Sequence, residues 1–448
     1  MLLVRNCRTL VGNSLIDCSI SADPESGLVE KISRSPMLTG DFDVVIDGTG
    51  LVALPGMLDV HVHFRDPGQT KKEDFYTGTA GAIAGGTTTI LDMPNNDPPI
   101  CTGEALEAKM AQAKSKAVCD YGFMFGATTQ NQAEAARIGK EEGAVKALKI
   151  YVGSSTGNLL VTGLPEIEEH LRKFPAGKPV CFHAEDEREI QARTKQLKDK
   201  DSQGDIEYHG FIRSPSAAAM AVQAVCELAS KTHRKTHICH ASTKGEIDIT
   251  SGYKAYQVPI TIEVCTHHLF LTENDARQLK NYGKVNPPLR SRIEVAALWD
   301  ELSKENSAID CIATDHAPHT VEEKSRNYWE APSGIPGVQT RIPLLLDAAK
   351  KNLISLPQLV NYCSANPARI FSLKGKGVLQ QGYAADITLV DLDEKWRIAG
   401  DGLYSKCGHT PFEGREISGK VKSTILHGKL AYDGENICIK PGEGQPVS

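Results

Sequence analysis

The stretch Asp59-Val60-His61-Val62-His63-Phe64-Arg65 carries the residue types of a metal site. Neutral imidazole is the commonest side-chain ligand for zinc, nickel, iron and copper. In an extended strand successive side chains alternate faces. His61 and His63 are therefore expected on one side together with Asp59, with Val60, Val62 and Phe64 on the other. Two imidazoles at i and i+2 can grip one ion between them. A His-x-His pair also occurs as two half-buried strand histidines, so its weight depends on what the rest of the chain offers.

Further ligand types recur at the ends of apolar runs. TTTILDMPNN holds Asn95, ALKIYVGS holds Lys149, PVCFHAED holds His183, THICHAS holds His240 and IDCIATDHAPH holds Asp315. Taken singly, His183 or His240 reads as a core histidine and Lys149 as a surface lysine. Their joint recurrence at strand ends favours a metal site. Lys149 is the odd member, because an ammonium repels cations and has no lone pair to give. Buried in mid-strand it is expected to lose its proton. The neutral amine can then add carbon dioxide, and the carbamate is a carboxylate-like group able to bridge two divalent ions. On that reading His61, His63 and Asp315 hold one ion and His183 and His240 the other. Ions about 3.5–4 Å apart share a hydroxide of near-neutral pKa. Arg65, two residues past the histidine pair, can form a bidentate pair with a substrate carboxylate. The residues alone thus point to metal-assisted hydrolysis of an amide-like bond in a small anionic substrate.

Such donors need a frame that brings distant strand ends together. Apolar strand candidates lie at 57–64, 87–92, 120–126, 147–152, 178–183, 236–240, 259–264 and 308–314. Helical stretches alternate with them, among them GEALEAKMAQAKSKAV, QNQAEAARIGKEEG, SPSAAAMAVQAVCELASK and SRIEVAALWDELSKE, the last two led by a serine suited to capping. Eight β/α alternations are the count of a closed parallel (β/α)8 barrel, whose active sites lie at the C-terminal strand ends. A doubly wound sheet would carry a G-x-G-x-x-G turn after an early strand, and none follows one here. Residues 1–55 and 374–448 are rich in short strands and turns, with a hairpin about His427-Gly428. We expect an α/β fold in which the barrel spans 56–373 and both termini, 1–55 and 374–448, build one β-sandwich beside it.

Composition narrows the class. The 448 residues are 40% hydrophobic and 24% charged, with 56 acidic against 50 basic residues, the make-up of a soluble globular protein. No Lys/Arg cluster suggests nucleic acid or an anionic membrane, and no run of 18 apolar residues suggests a membrane span. The twelve cysteines are scattered singly without a C-x-x-C pair, which argues against a disulfide framework. A cytosolic location follows.

The motifs GMLDVHVHFRDPG, AGGTTTILDMPNN, LKIYVGSSTGN, CFHAEDE, HICHAST, TIEVCTHHLFLTE, KVNPPLR, IATDHAPHTVEEK, SGIPGVQT and NPARIF with GYAADITLVD run in this order over nearly all of residues 50–391. In them the chain resembles the dihydroorotase family of the amidohydrolase superfamily. The resemblance implies two zinc ions on His61, His63, carboxylated Lys149, His183, His240 and Asp315, and a substrate site of Arg65, Asn95, Asn286 and His319. It implies reversible cyclisation of N-carbamoyl-L-aspartate to L-dihydroorotate in pyrimidine biosynthesis, with a metal-bridged hydroxide as nucleophile and Asp315 as proton shuttle. LKIYVG places the chain with the relatives that bridge their metals by lysine rather than aspartate. Allantoinases and hydantoinases look similar around the metals but lack an arginine at the position of Arg65. Non-catalytic assembly relatives have usually lost ligands that are all present here. RSPSAAAMAV departs from an R-P-x-x-A-E pattern common among relatives, and we read it as helix surface or packing. We expect a homo-oligomer, a homodimer being its simplest form. His267 and His268 are read as structural, His237 as pointing to the face opposite His240, and Thr320–Lys324 as a lid or a solvated loop.

Overall fold

The computed structural model describes residues 1–34, 40–141, 143–155, 157 and 159–447. Glu142 near the end of QNQAEAARIGKEEG, and Thr156 and Asn158 at the end of LKIYVGSSTGN, lie outside them. Among the described residues sixteen strands fall into two sheets. The terminal ones are β1 (Leu2–Val11), β2 (Ser14–Asp23), β3 (Leu28–Ser33), β4 (Val44–Asp47) and β5 (Val52–Pro55). The central ones are β6 (Met57–Val62), β7 (Thr87–Asp92), β8 (Asp120–Gly126), β9 (Val145–Tyr151), β10 (Val180–His183), β11 (Thr236–Ala241), β12 (Ile260–Cys265) and β13 (Cys311–Ala313). The chain closes with β14 (Ile387–Arg397), β15 (Glu416–Leu426) and β16 (Lys429–Tyr432).

Strands β6 to β13 pair in sequence order, all parallel. All eight strands expected from the apolar runs are present, and the helices between them cover the outside. Ser214 and Ser291 cap the helices Pro215–Thr232 and Arg292–Ser303, as their positions suggested. The barrel closes where the His63 N–H donates to the His316 carbonyl at 2.8 Å. Below that seam, fully buried Arg341 donates to the carbonyls of Leu58 and Ile312, at 2.8 and 2.9 Å. A guanidinium suits this place, because its fork of donors reaches both strands at once.

Alternate side chains of the barrel strands go to different cores. Ile90, Phe123, Ile150, Phe182, Ile238 and Ile262 pack outward against the helices. Leu91, Met124, Ala147, Cys181, Cys239 and Cys311 fill the inside, floored by Phe371 and by Val447 of the C-terminal tail. The lower barrel is therefore solid, and the polar site sits on top of it.

The two termini form a β domain, as expected, in one continuous hydrogen-bonded sheet. Its halves join where β5 pairs antiparallel with β14, Pro55 opposite Ile387. Beyond the hairpin β15–β16 the tail returns to the barrel, where the Val447 N–H meets the Tyr121 carbonyl at 2.9 Å. Among the described residues no helix is long and apolar enough to cross a membrane.

Candidate metal centre

At the C-terminal ends of the barrel strands the expected donors come together. His61, on β6, lies with its Nε2 3.2 Å from Asp315 Oδ1, and His63 Nε2 lies 2.9 Å from the same oxygen. The ring of His240 is 5.3 Å from that of His61 and 4.7 Å from that of His183, whose Nδ1 is 2.9 Å from His240 Nε2. Donor atoms of His61, His240 and Asp315 all lie within 4.8 Å of one another. Lys149, on β9 and fully buried, points at Cys239 Sγ, 2.9 Å away.

Two departures from simple alternation build this cluster. The register of β6 on β7 shifts between Asp59 and Val62. Leu58 and Val60 face the barrel interior, and the shift lets His61 turn inward as well, while Asp59 does not join the histidines. Its carboxylate instead accepts the Thr314 hydroxyl at 2.6 Å and the Thr314 N–H at 3.2 Å. A second shift, between Ile238 and Ala241 of β11, places His240 in left-handed backbone at φ 38°. His237 consequently shares the interior with His240 rather than facing away, its Nε2 3.0 Å from Glu263 Oε2 and its ring beside Phe371. Arg65 and Asp315 also adopt left-handed backbone, at φ 60° and 48°. Strain of this kind, on the order of 1–3 kcal/mol per residue, concentrates where side chains must be aimed.

The donors suit divalent ions. His61 donates Nδ1–H to Glu263, and His63 Nδ1 lies 2.5 Å from Asn95 Oδ1. His183 Nε2 lies 3.2 Å from Glu185. An imidazole whose other N–H is engaged, as at His61 and His63, leaves its far nitrogen for the centre, the arrangement found around metal-binding histidines. The charges agree. Burial outweighs the nearby Asp315 carboxylate and leaves His63 lowered to about 4, and burial keeps His183 and His240 below their ordinary values, so these rings are neutral. At His61 burial is outweighed by Glu263 and Asp315, which push it up to about 10, so with no cation beside it this ring holds both protons and must give up the one on Nε2 to act as a ligand. Burial also opposes the charge on Asp315, yet the His61, His63 and His240 rings hold its carboxyl well below the usual range. Two carboxylates in a dry site call for cations.

Lys149 corrects one expectation. Burial does work against its charge, but the Cys239 sulfur and the Tyr151 hydroxyl outweigh it and hold the ammonium above its ordinary range. In the protein alone this lysine keeps its proton.

Above the donors, Arg65 is buried and donates Nε–H to the Pro318 carbonyl at 3.3 Å. Its Nη2 is 3.3 Å from His319 Nε2, and its Nη1 is buried without a partner. Asn286 likewise has a buried Oδ1 without a partner. Asn95 is engaged with His63, so it orients that ring whatever else it contacts. The polar stretch after His319 is a capped helical turn, Val321–Lys324, not a solvated loop. Lys324 is buried in it, with Nζ donating to the carbonyls of Pro332 and Gly334 at 3.1 and 2.8 Å.

Three residues of the site escaped the sequence reading. Glu263 supports His61, His237 and the His240 N–H; the signal was a lone acid in the apolar run ITIEVC. Glu185, two residues past His183, is fixed by Arg213, which lies in the divergent segment read as packing. The arginine, beside His183, outweighs burial and holds the Glu185 carboxyl at about 2.

Comparison with known proteins gives the chain's family. Residues 52–431 match the model of the amidohydrolase family. A dihydroorotase of Methanosarcina acetivorans is 37% identical over 99% of this chain and 94% of that protein. A dihydroorotase of Pyrococcus furiosus is 36% identical over 93% of this chain and 90% of its own length. Among solved structures, the L-hydantoinase (dihydropyrimidinase) from Arthrobacter aurescens superposes with a TM-score of 0.94 at 27% identity, covering 100% of this chain and 99% of that one. Matched along most of its length and carrying the donor cluster at its barrel strand ends, the chain belongs to the amidohydrolase family.

Proposed function

We propose that the chain is a dihydroorotase, interconverting N-carbamoyl-L-aspartate and L-dihydroorotate in pyrimidine biosynthesis. The observation that carries this reading is the buried Arg65 guanidinium with an unpartnered Nη1 above the donor cluster. A desolvated charge of this kind is costly unless an anion meets it, and a substrate carboxylate supplies one in bidentate geometry. The similarity to curated dihydroorotases along almost the whole chain supports the same substrate. The likeness to hydantoinase structures is one of fold, and Arg65 argues against a hydantoin as substrate.

In the proposal two divalent ions, zinc by ligand chemistry, are held by His61, His63 and Asp315 and by His183 and His240, with Lys149 completing the set as its carbamate. When bound, such ions polarise the ring amide carbonyl and bring the pKa of water near neutrality. They also reverse the charge balance at Lys149, since cations beside an ammonium favour its neutral form. Glu263, Asn95 and Glu185 keep the histidine lone pairs aimed at the centre. Arg65, with Asn95, Asn286 and His319, binds the substrate anion. Asp315 moves the proton. In hydrolysis it takes the proton of the attacking oxygen and passes it to the ring nitrogen as the C–N bond breaks. Cyclisation runs the same path backwards from protonated Asp315.

The proposal includes a cytoplasmic location, an assembly of identical chains, and barrel and β-domain limits at 56–373, 1–55 and 374–448. The test is interconversion by the purified, metal-loaded chain. Formation of dihydroorotate from N-carbamoyl-L-aspartate, and its reverse, are expected; failure in both directions overturns the assignment.

A further inference from the structure

A second group of donors meets at the C-terminal end of β12, apart from the cluster assigned above. Cys265 ends the strand, and His267 and His268 lie in the helical turn Thr266–Phe270 that follows. All three are buried, and one donor atom of each lies within 4.8 Å of the other two. The two rings are 4.3 Å apart. His268 Nε2 donates to the Pro287 carbonyl at 3.0 Å, and the His267 ring lies against the backbone of Thr314. That leaves His268 Nδ1 and His267 Nε2 buried with no partner. A neutral imidazole that gives its one N–H to a carbonyl carries a lone pair on the other nitrogen, which is how histidine is held when it binds a metal. Two unpartnered ring nitrogens beside a thiol are unexplained as packing, because buried polar atoms are nearly always partnered.

We propose that Cys265, His267 and His268 bind a thiophilic divalent ion, zinc by their ligand chemistry, separate from the ions of the main centre. One sulfur and two imidazoles select zinc-like metals over magnesium or calcium, which take oxygen donors. Binding replaces the Cys265 S–H by a sulfur–metal bond. One proton therefore leaves to solvent per ion, and both imidazoles bind in their neutral form. Three protein donors leave a fourth position open. The ion also braces the main site, since the carbonyl held by His268 follows Asn286 and the backbone against which His267 lies precedes Asp315.

Cobalt(II) tests the site, because a cobalt–thiolate bond gives an intense near-ultraviolet charge-transfer band that nitrogen and oxygen ligands do not give. None of the donors assigned to the main centre is a sulfur, but Cys239 lies within 4.8 Å of donor atoms of His61 and Glu263, so it is the control. Metal-depleted protein reloaded with cobalt is expected to show the band, and to release one more proton and hold one more ion per chain than Cys265→Ser treated in the same way. Cys265→Ser and His268→Gln should lose or shift the band, whereas Cys239→Ser, whose sulfur faces Lys149, should keep it. Absence of the band in the unaltered protein overturns the site without any variant. So does a band that disappears with Cys239→Ser and persists in Cys265→Ser. Dihydroorotate turnover on the same samples is a separate readout: an inactive protein that shows the band removes the proposed function and leaves this site standing.

Discussion

Glu263 accepts the Nδ1 proton of His61 beneath the candidate centre, which turns the His61 Nε2 toward Asp315 at 3.2 Å. The same carboxylate receives the His240 N–H at 3.1 Å and faces His237 at 3.0 Å, so one acid fixes residues from two strands. Changing such a supporting partner typically weakens metal binding about 10- to 100-fold. Glu263→Gln should therefore lose zinc to a competing chelator at that lower threshold while keeping its far-ultraviolet circular dichroism. Unchanged affinity would make Glu263 a packing residue.

Lys149 should carry carbon dioxide when the centre is loaded. Protein reconstituted with zinc and carbon-13 bicarbonate is expected to show a carbamate resonance that Lys149→Ala lacks. That variant should lose most activity, with a little restored by short carboxylic acids. A fully active enzyme with an unmodified lysine would contradict the bridge.

Asp315 is assigned both as ligand and as proton carrier, so the two reaction directions start from opposite protonation states. Hydrolysis should rise with pH and cyclisation should fall. Asp315→Asn should abolish both. Initial rates of both directions across pH decide the matter, and profiles of the same slope would leave Asp315 a ligand alone.

Where the barrel floor meets the β domain, Asp120 pairs with His427 at 2.7 Å and with Lys376, which also meets Asp386. Burial opposes the Asp120 charge, but Lys376 and His427 outweigh it and lower its pKa to about 2. A carboxyl lowered from its unfolded value near 3.9 stabilises the fold above that pH and loses the contribution as pH falls toward 2. The loss is about 2.5 kcal/mol. His427 is raised, because Asp120 outweighs burial, so its contribution is full below about 6.5 and is lost as pH rises through the raised value. Asp120→Asn should cost roughly 3 kcal/mol in denaturant unfolding at neutral pH and flatten the acid limb. A variant as stable as the parent would rule out this link as a support.

The barrel was legible because parallel strands buried on both faces stand out as short apolar runs, and the donors because each sits at the end of one. What alternation could not foretell was which way some of them face. The register shifts at Asp59–Val62 and Ile238–Ala241 turned His61 and His240 inward and left Asp59 with Thr314. The state of Lys149 was hidden for another reason: the sulfur that keeps it protonated lies 90 residues away on β11. Glu263, Glu185 and Arg213 were single charges in ordinary-looking segments, and only their partners across strands give them meaning.

The central claim is that Arg65 binds a substrate carboxylate over a metal centre. The most direct measurement is kcat/KM for L-dihydroorotate, hydantoin and allantoin in the metal-loaded protein and in Arg65→Met. Dihydroorotate should be strongly preferred. Loss of a desolvated charge pair at about 2–5 kcal/mol should lower its kcat/KM by roughly 30- to 4,000-fold, with metal content unchanged. Preference for hydantoin or allantoin, or normal dihydroorotate turnover in Arg65→Met, would contradict the account.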